Sequence, residues 1–305
     1  MADLGRTAPE RGRFSLMLEP WCYLSPALVA ILLVMVLPLA VGVSYAFQDV
    51  QILKPFSKGW IGLDHFRTLL TEDRVFYRAL GNTVWWTVAS VTLQFAFGLG
   101  LALLLNRNFA GKRVVQAVVF LPWAVPTFLS GLTWAWLFNP VIGPLPHWMF
   151  ALGLLDEPYS ILGSPDHAMW GPIIANVWFG IPFFAITLLA ALQAIPDEMY
   201  EAASIDGATD LQQFLNVTLP YLAPMIAITV LLRTIWVSNF ADLIVVMTNG
   251  GPANTTQILP SLIFTTAYKK LDFGYASAIA CVMLALLFLY TALLFHMRRS
   301  LRTTS

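Results

Sequence analysis

Two charged side chains interrupt a long apolar stretch in the last third of the chain. Arg233 lies near the middle of this stretch and Asp242 lies further along it, with Trp236 and Asn239 between them. A charge inside an apolar span is costly and commonly marks a functional path. An asparagine amide can hydrogen-bond to hydroxyl groups and an indole ring offers a flat apolar surface, which together suit the recognition of a sugar. These four residues are therefore candidates for contact with a substrate.

The helical period limits how these four side chains can act together. At about 100° per residue, Arg233, Trp236 and Asn239 drift slowly around one side of a helix, whereas Asp242 ends about 180° from Arg233. The two charges are therefore not expected to pair. Arg233 could bind an anionic substrate such as a sugar phosphate, or it could cap free carbonyls at a kink. The polar groups could also bridge to neighbouring helices or to a second subunit. The fourth apolar stretch contains two weaker candidates, Asn176 and Trp178.

No catalytic or metal-binding pattern is present in the sequence. The four histidines are scattered without metal-ligand spacing, and no Ser/His/Asp set can be assembled. The only Gly-Lys pair, Gly111-Lys112, precedes Arg113 and lacks the upstream glycine of a phosphate-binding P-loop. Cys22 and Cys281 both lie in apolar stretches and are interpreted as packing residues. The chain is therefore predicted not to be an enzyme and to hold no cofactor of its own.

The composition indicates that lipid is the solvent of this chain. Of its 305 residues, 58% are hydrophobic and 11% are charged, and the mean hydropathy is +0.71. A soluble domain carries about 25% charged residues. The net charge is zero, because 17 basic residues balance 17 acidic ones, so there is no signature of nucleic-acid binding.

Six apolar stretches are long enough to cross a membrane as helices, since a hydrocarbon core of about 30 Å requires roughly 20 residues. The sequence therefore predicts an all-α membrane protein with six transmembrane helices. The first stretch is too long for a signal peptide and lacks a clear cleavage site, so we expect an uncleaved first span. Prolines in several stretches predict kinks, which serve either packing or a mechanical hinge. The predicted spans are 21–47, 80–105, 114–138, 170–195, 221–247 and 275–297.

The distribution of Lys and Arg predicts the orientation. The tail 1–20, the connection between the second and third spans, and the tail 298–305 all carry several basic residues. An even number of spans places these segments on one side of the membrane, and positive charge accumulates on the cytoplasmic side. Both tails of the six-span domain 21–297 are therefore expected in the cytoplasm.

The connection between the fourth and fifth spans, 196–220, is expected on the same side and has an unusual composition. It contains five carboxylates and neither Lys nor Arg. A proline followed by acids suits the start of a helix, Gly207 permits the positive φ that ends one, and Thr209 or Asp210 can cap a second helix. Helices that lie on a membrane surface favour Lys and Arg on their polar face. A helix–glycine–helix that docks into a partner protein is therefore preferred over a pair of membrane-surface helices.

The loop and the residues just after it contain a set of small, acidic and apolar residues at defined spacing: Glu201-Ala202-Ala203, Asp206-Gly207-Ala208, Phe214, Leu219-Pro220 and Pro224. This set resembles the EAA loop of permeases from bacterial ATP-binding-cassette (ABC) importers. A second stretch, 248–252 followed by 273–278, is similar to the fifth-to-sixth connection of carbohydrate permeases of the maltose and glycerol-phosphate type. The segments 24–27 and 60–66 also resemble the first span and first outer loop of that family.

The resemblance implies a type I ABC importer permease fold in which the loop 196–220 forms a coupling helix on an ATPase dimer. It further implies a bacterial inner-membrane protein that works with a second permease subunit and an extracytoplasmic substrate-binding protein. Such a protein moves a sugar or sugar derivative by alternating access and leaves ATP and Mg²⁺ to the ATPase. Asn239 occupies a position that resembles a sugar-contacting asparagine of the maltose permease. The implied coupling residues are Glu201, Ala202, Ala203, Asp206, Gly207, Ala208, Leu219 and Pro220.

A self-contained, ion-coupled secondary transporter is the alternative function. That class is expected to show inverted repeats and coupling carboxylates within its spans. Asp242 is the one such carboxylate candidate, and no repeat stands out in the sequence. The importer is therefore the favoured hypothesis, and the identity of the sugar stays open.

Overall fold

The computed structural model describes residues 13–53, 59–157 and 159–302. The parts of the predicted tails at residues 1–12 and 303–305 therefore lie outside the described residues. Most of the described chain is helical. The helices in chain order are α1 (Arg13–Ile31), α2 (Leu37–Tyr45), α3 (Asp64–Thr71), α4 (Arg74–Asn106), α5 (Lys112–Ala124), α6 (Thr127–Leu137), α7 (Pro144–Ala151), α8 (Trp170–Leu192), α9 (Asp197–Ile205), α10 (Asp210–Gln213), α11 (Leu219–Ser238), α12 (Asp242–Met247), α13 (Leu259–Phe264) and α14 (Phe273–Arg302).

Five helical segments are long and apolar enough to cross a membrane, and the bent pair α5 and α6 makes a sixth span. The first span consists of α1 and α2, which are joined without a break by a π-helical turn, Leu32–Val36, just before Pro38. Helices α4, α8 and α14 form the second, fourth and sixth spans, and α11 with α12 forms the fifth. The predicted all-α fold with six spans is confirmed, although two of the spans are not straight.

The third span is bent by 99° between α5 and α6. Val125 has an extended backbone, with φ −96° and ψ 125°, and is followed by Pro126. The proline ring clashes with a preceding residue in helical conformation, so Val125 does not continue α5. Pro126 also has no N–H to donate to a helix. Instead of the predicted kink within one span, the structure therefore has two separate helices.

The fifth span is interrupted between α11 and α12 at residues 239–241. The N–H groups of Asn239 and Phe240 bond to carbonyls three residues earlier, at 3.2 and 3.1 Å. This tighter turn ends α11, and α12 begins at Asp242, whose carboxylate lies in the positive first turn of the new helix. Arg233 and Asp242 therefore lie on different helices. The angle of about 180° between them, predicted for one straight helix, does not apply.

The core of the chain lies between α4 and α8, with α11 packed against both. Gly98 on α4 is buried, and a Cβ atom at this position would overlap the Cβ of Phe184 and lie 3.2 Å from the backbone nitrogen of Ala185. Trp86 is fully buried, and its indole N–H donates to the carbonyl of Val237 at 2.9 Å. Gly98 thus lets α4 and α8 approach closely, and Trp86 joins α4 to the end of α11.

At the end of the bundle opposite the loop 196–220, hydrogen bonds join the start of α14 to the start of α4 and to the segment that follows the first span. A short antiparallel hairpin of β1 (Gln48–Asp49) and β2 (Gly59–Trp60) follows the first span. Asp73 caps α4 by accepting bonds from two N–H groups of its first turn, at 2.8 and 3.0 Å. Its second oxygen accepts a bond from the Tyr275 hydroxyl at 2.7 Å. The starts of α4 and α14 are therefore fixed relative to each other.

We predict that Gly98→Ala destabilises the bundle, because the added methyl group forces α4 and α8 apart. Overpacking of a tight core contact costs roughly 1–3 kcal/mol. Gly100→Ala is the matched control, since Gly100 lies on the same helix and a Cβ atom there meets nothing within 4 Å. Thermal unfolding of the detergent-solubilised protein should show a lower midpoint for Gly98→Ala and an unchanged or higher midpoint for Gly100→Ala. Equal midpoints for the two variants would contradict the proposed close contact.

Candidate functional site

The loop between α8 and α11 folds into a compact helix–turn–helix. Pro196 is extended and stands immediately before α9, whose first turn contains Asp197 and Glu198. Carboxylates at this position interact favourably with the positive end of a helix. A Tyr200 hydroxyl lies 3.0 Å from that of Thr218, which fastens α9 to the π-helical turn, Phe214–Thr218, that leads into α11.

Gly207 ends α9 in the manner that the sequence predicts. Its φ is +77°, a left-handed conformation that costs a residue with a side chain about 1–2 kcal/mol. The N–H of Ala208 bonds to the carbonyl of Ala203 at 2.9 Å, and the N–H of Gly207 bonds to that of Ser204 at 3.0 Å. These two bonds form a Schellman motif, which satisfies the last carbonyls of the helix.

Thr209, and not Asp210, caps the second helix of the loop. Its hydroxyl accepts a bond from the N–H of Gln212 at 3.4 Å, and the Gln212 side chain accepts one from the N–H of Thr209 at 2.8 Å. This reciprocal capping box fixes the start of α10. The side chain of Gln213 donates to the Ser204 hydroxyl at 3.0 Å, which ties α10 back to α9. The loop is thus braced by its own residues.

The loop presents a surface on which apolar and acidic side chains are both exposed. We call this surface the docking face and define it by Glu201, Ala202, Ile205, Asp206 and Leu211, all of which are exposed. Ile205 is 86% exposed and Leu211 is 66% exposed. The Glu201 carboxylate has no partner among the residues that the structure describes. Of the other implied coupling residues, Gly207 and Pro220 are exposed, and three are half-buried: Ala203, Ala208 and Leu219.

A second candidate site is a cleft of about 410 Å³ within the membrane-spanning part of the chain. The rings of Phe179 and Phe240 stack with centroids 6.0 Å apart at 12°. The indole N–H of Trp123 donates to the carbonyl of Phe179 at 3.1 Å, and Trp236 is 51% exposed. We call this site the aromatic cleft. Its lining residues are Trp123, Asn176, Phe179, Arg233, Trp236, Val237 and Phe240.

Arg233 forms one wall of the aromatic cleft, and its side chain is only 6% exposed. Its Nε donates to the Gln94 side-chain oxygen at 2.6 Å, and the Gln94 amide nitrogen donates to the carbonyl of Asn176 at 2.9 Å. A Cβ atom at Gly180 would overlap both Gln94 and the guanidinium, so glycine makes room for this pair. The arginine therefore contacts a side-chain amide of α4, and not carbonyls freed by a kink.

Asn176 also lines the aromatic cleft and is fully buried. Neither its side-chain oxygen nor its side-chain nitrogen has a hydrogen-bond partner among the described residues. Leaving such atoms unpaired costs roughly 1–3 kcal/mol in a folded protein. A protein usually satisfies buried polar atoms with other groups, with water or with a ligand.

The remaining candidates lie apart from this cleft. Asn239 lines a second cavity, between the first span and α14, and its amide donates to the carbonyl of Ile235 at 2.8 Å. The Asp242 carboxylate accepts a bond from the Thr127 hydroxyl at 3.0 Å, so it bonds to α6 while Arg233 bonds to α4. The rings of Trp178 and Trp134 meet edge to face at 5.9 Å. The structure therefore brings together Arg233, Trp236 and Asn176 and separates the other three.

Six residues of the cleft and its support were not among the candidates from the sequence: Gln94, Trp123, Phe179, Gly180, Val237 and Phe240. Gln94 is a buried amide in the middle of an apolar span, so its polarity could have identified it as a candidate from the sequence. Gly180 has no distinguishing local pattern, because its role depends on side chains from two other helices. Trp123 and Phe179 were indistinguishable from lipid-facing aromatic residues. Within the described ranges, no group of three or more His, Cys, Asp or Glu residues could hold a metal ion.

The connection 248–258, at the end opposite the loop, is held in place by side chains of α4. Asn82 donates to the carbonyls of Asn254, Thr255 and Gln257 at 3.3, 3.0 and 2.9 Å. Arg78 donates to the carbonyl of Ala253 at 2.9 Å. The connection thus has a defined conformation at the mouth of the bundle.

Comparison with known proteins places this architecture in a family. Residues 94–303 match the family model described as binding-protein-dependent transport system inner membrane component. The chain is 37% identical over 270 residues to the trehalose/maltose transport system permease protein MalF of Thermococcus litoralis, covering 87% of this chain and 88% of the relative. It is 34% identical over 277 residues to the sulfoquinovosyl glycerol transport system permease protein SmoG of Agrobacterium fabrum, covering 91% and 89%.

A solved structure agrees with the fold. A chain of a bacterial alginate ABC transporter, crystallised in complex with an alginate pentasaccharide-bound periplasmic protein, superposes with a TM-score of 0.79 at 24% identity. The match covers 92% of this chain and 94% of that chain. The protein therefore belongs to the family of binding-protein-dependent transport system inner membrane components.

Proposed function

We propose that this protein is the permease subunit of an ABC importer that moves a saccharide or saccharide derivative across the bacterial inner membrane. The observation that carries the proposal is the docking face, in which apolar and acidic residues are exposed on a loop that is braced by its own hydrogen bonds. Membership of the family supports a separate ATPase as the source of energy for transport. The ion-coupled secondary transporter is not favoured.

The names of the relatives support a saccharide as the cargo. The two relatives are named as permeases for trehalose or maltose and for sulfoquinovosyl glycerol, and the solved transporter is named for alginate. These cargoes share sugar rings and differ in size and charge. The aromatic cleft offers stacking surfaces and polar groups of the kinds that bind sugar rings. We therefore place the cargo path along this cleft, with Trp236 and Asn176 as contacts.

The proposal assigns a partner to each end of the bundle. The docking face inserts into a cleft of an ATPase dimer, which binds ATP and Mg²⁺. The connection 248–258 and the hairpin lie at the other end, where a substrate-binding protein delivers its cargo. A second permease subunit completes the path. Asn239 and Asp242, which are candidates for contact with the substrate, lie outside the aromatic cleft, where a second subunit could contribute the facing wall. This arrangement places the loop and both chain ends in the cytoplasm, in agreement with the distribution of Lys and Arg.

Uptake measurements in proteoliposomes test the energy source. The chain co-purified with its partners should import a labelled saccharide when ATP is enclosed with the ATPase side and the binding protein is supplied on the other side. The chain alone should import none under a proton or sodium gradient, because in the proposed importer the energy comes from ATP hydrolysis by a separate subunit. Gradient-driven uptake by the chain alone would establish the secondary transporter instead.

Two substitutions in the loop test its role in coupling. Glu201→Ala removes a carboxylate with no partner in the described part of the chain, and Gly207→Val strains the left-handed turn that joins α9 to α10. Both should lower ATP-driven uptake at least about tenfold, because each alters the proposed contact with the ATPase, while membrane insertion stays normal. A tenfold loss corresponds to about 1.4 kcal/mol.

Gly111→Val is the matched control for the strained turn. Gly111 has φ +85° and lies in the connection between the second and third spans, with nothing within 4 Å of an added Cβ atom. This variant carries the same backbone strain outside the docking face, so its uptake should fall much less. Equal losses for Gly111→Val and Gly207→Val would assign the effect to stability and not to coupling.

Co-purification tests whether the ATPase attaches at the docking face. Ile205→Asp places a charge on the most exposed large apolar residue of the docking face, so the ATPase should no longer co-purify with the chain. Leu154→Asp is the control, because Leu154 is 66% exposed in the connection between the third and fourth spans, at the opposite end. Retention of the ATPase by Ile205→Asp would exclude this surface as the contact.

A further inference from the structure

The aromatic cleft contains a positive charge that this chain does not neutralise. Arg233 is nine-tenths buried, and its one polar contact among the described residues is the bond from Nε to Gln94. Its two terminal nitrogens therefore have no hydrogen-bond partner within the described ranges. The guanidinium stays protonated in proteins, and an unpaired buried charge is strongly unfavourable.

Among the residues that the structure describes, no carboxylate lines the cleft beside this charge. The lining residues contributed by α5, α8 and α11 are aromatic or apolar apart from Asn176 and Arg233. The support from α4 is the neutral amide of Gln94. Asp242, the carboxylate nearest in sequence, bonds to Thr127 on α6. A cation–π contact with Phe183, at 5.8 Å, holds the guanidinium without cancelling its charge.

A second, independent observation indicates that the cleft receives a ligand. Asn176 lies on a different helix from Arg233, is fully buried and has both side-chain polar atoms unpaired among the described residues. An amide and a guanidinium that line the same cleft supply several hydrogen-bond donors. Donors around an uncompensated charge suit an anion, and the planar fork of an arginine suits a carboxylate, sulfate or phosphate in particular.

We infer that the cargo of this permease is an anionic saccharide and that Arg233 is the residue that selects for its charge. This inference rests on the proposed function. The terminal nitrogens of Arg233 bind the anionic group, and the stacked rings of Phe179 and Phe240 lie beside the position of the sugar ring. Gln94 acts as a positioning residue, because its bond to Nε leaves the terminal nitrogens free.

A thiol-modification experiment tests the charge of the cleft without knowledge of the cargo. Phe240→Cys is introduced with Cys22→Ser, and the full chain with its co-purified partners is placed in lipid nanodiscs. Two methanethiosulfonates of similar size, one with a sulfonate and one with a trimethylammonium group, are compared by peptide mass spectrometry. The ratio of anionic to cationic modification at position 240 should fall at least tenfold when Arg233→Gln is added and should be retained with Arg233→Lys.

Cys281 is the internal control in the same sample. It lines the second cavity together with Asn239, away from Arg233, so its ratio should not change. An unchanged Cys281 ratio also shows that Arg233→Gln leaves the bundle folded. A ratio at position 240 that is the same with and without Arg233, or no modification at that position, would overturn the inference.

A cargo panel separates failure of this inference from failure of the proposed function. Calorimetry of the cognate binding protein is carried out with neutral, carboxylated, sulfated and phosphorylated saccharides of matched length. We expect binding of an anionic saccharide, and at least tenfold slower ATP-driven uptake with Arg233→Gln that Arg233→Lys partly restores. A cargo that is exclusively neutral, or normal uptake by Arg233→Gln, overturns the inference and leaves the proposed function intact. Binding of no saccharide at all overturns the proposed function.

Discussion

Helices α4 and α8 approach each other so closely that a methyl group at Gly98 or Gly180 would overlap a neighbouring side chain. At Gly98 the neighbour is a core phenylalanine, and the contact serves packing alone. At Gly180 the neighbours are Gln94 and Arg233, so the space left by one missing side chain admits a hydrogen-bonded pair. The same helix contact that holds the bundle together therefore also positions the charge of the aromatic cleft.

The lipid environment explains where the bundle departs from regular helices. Backbone polar groups within a membrane must be satisfied by protein or by a water-filled cavity. The break between α5 and α6 lies next to Trp123, and the break between α11 and α12 follows Trp236 and Val237, all of which line the cleft. Both interruptions thus adjoin the cavity, where irregular backbone is tolerated. The two broken spans are also linked by the bond between Thr127 and Asp242.

The two ends of the bundle are organised in different ways. The loop 196–220 is braced by a capping box, a Schellman motif and a few local side-chain bonds, so its shape depends little on distant helices. The opposite end is assembled from segments far apart in the chain, with Asp73 bonded to Tyr275 and Asn82 bonded to the connection 248–258. A locally folded loop can move as a unit with an attached partner, whereas the other end couples the second, fifth and sixth spans directly.

The sequence by itself determined the features that depend on local chemistry. Apolar length specified the six spans, Gly207 specified the turn of the loop, and the motif around Glu201 indicated the family. Thr209 and Asp210 were both acceptable caps, and the side-chain geometry of Gln212 decided between them. Only the tertiary structure decided which polar residues share a cleft. Gln94 and Arg233 are 139 positions apart, and the break at residues 239–241 removes the helical period that would have related Arg233 to Asp242. The direction of a side chain beyond such a break is set by packing against other spans, and no local pattern in the sequence encodes that packing.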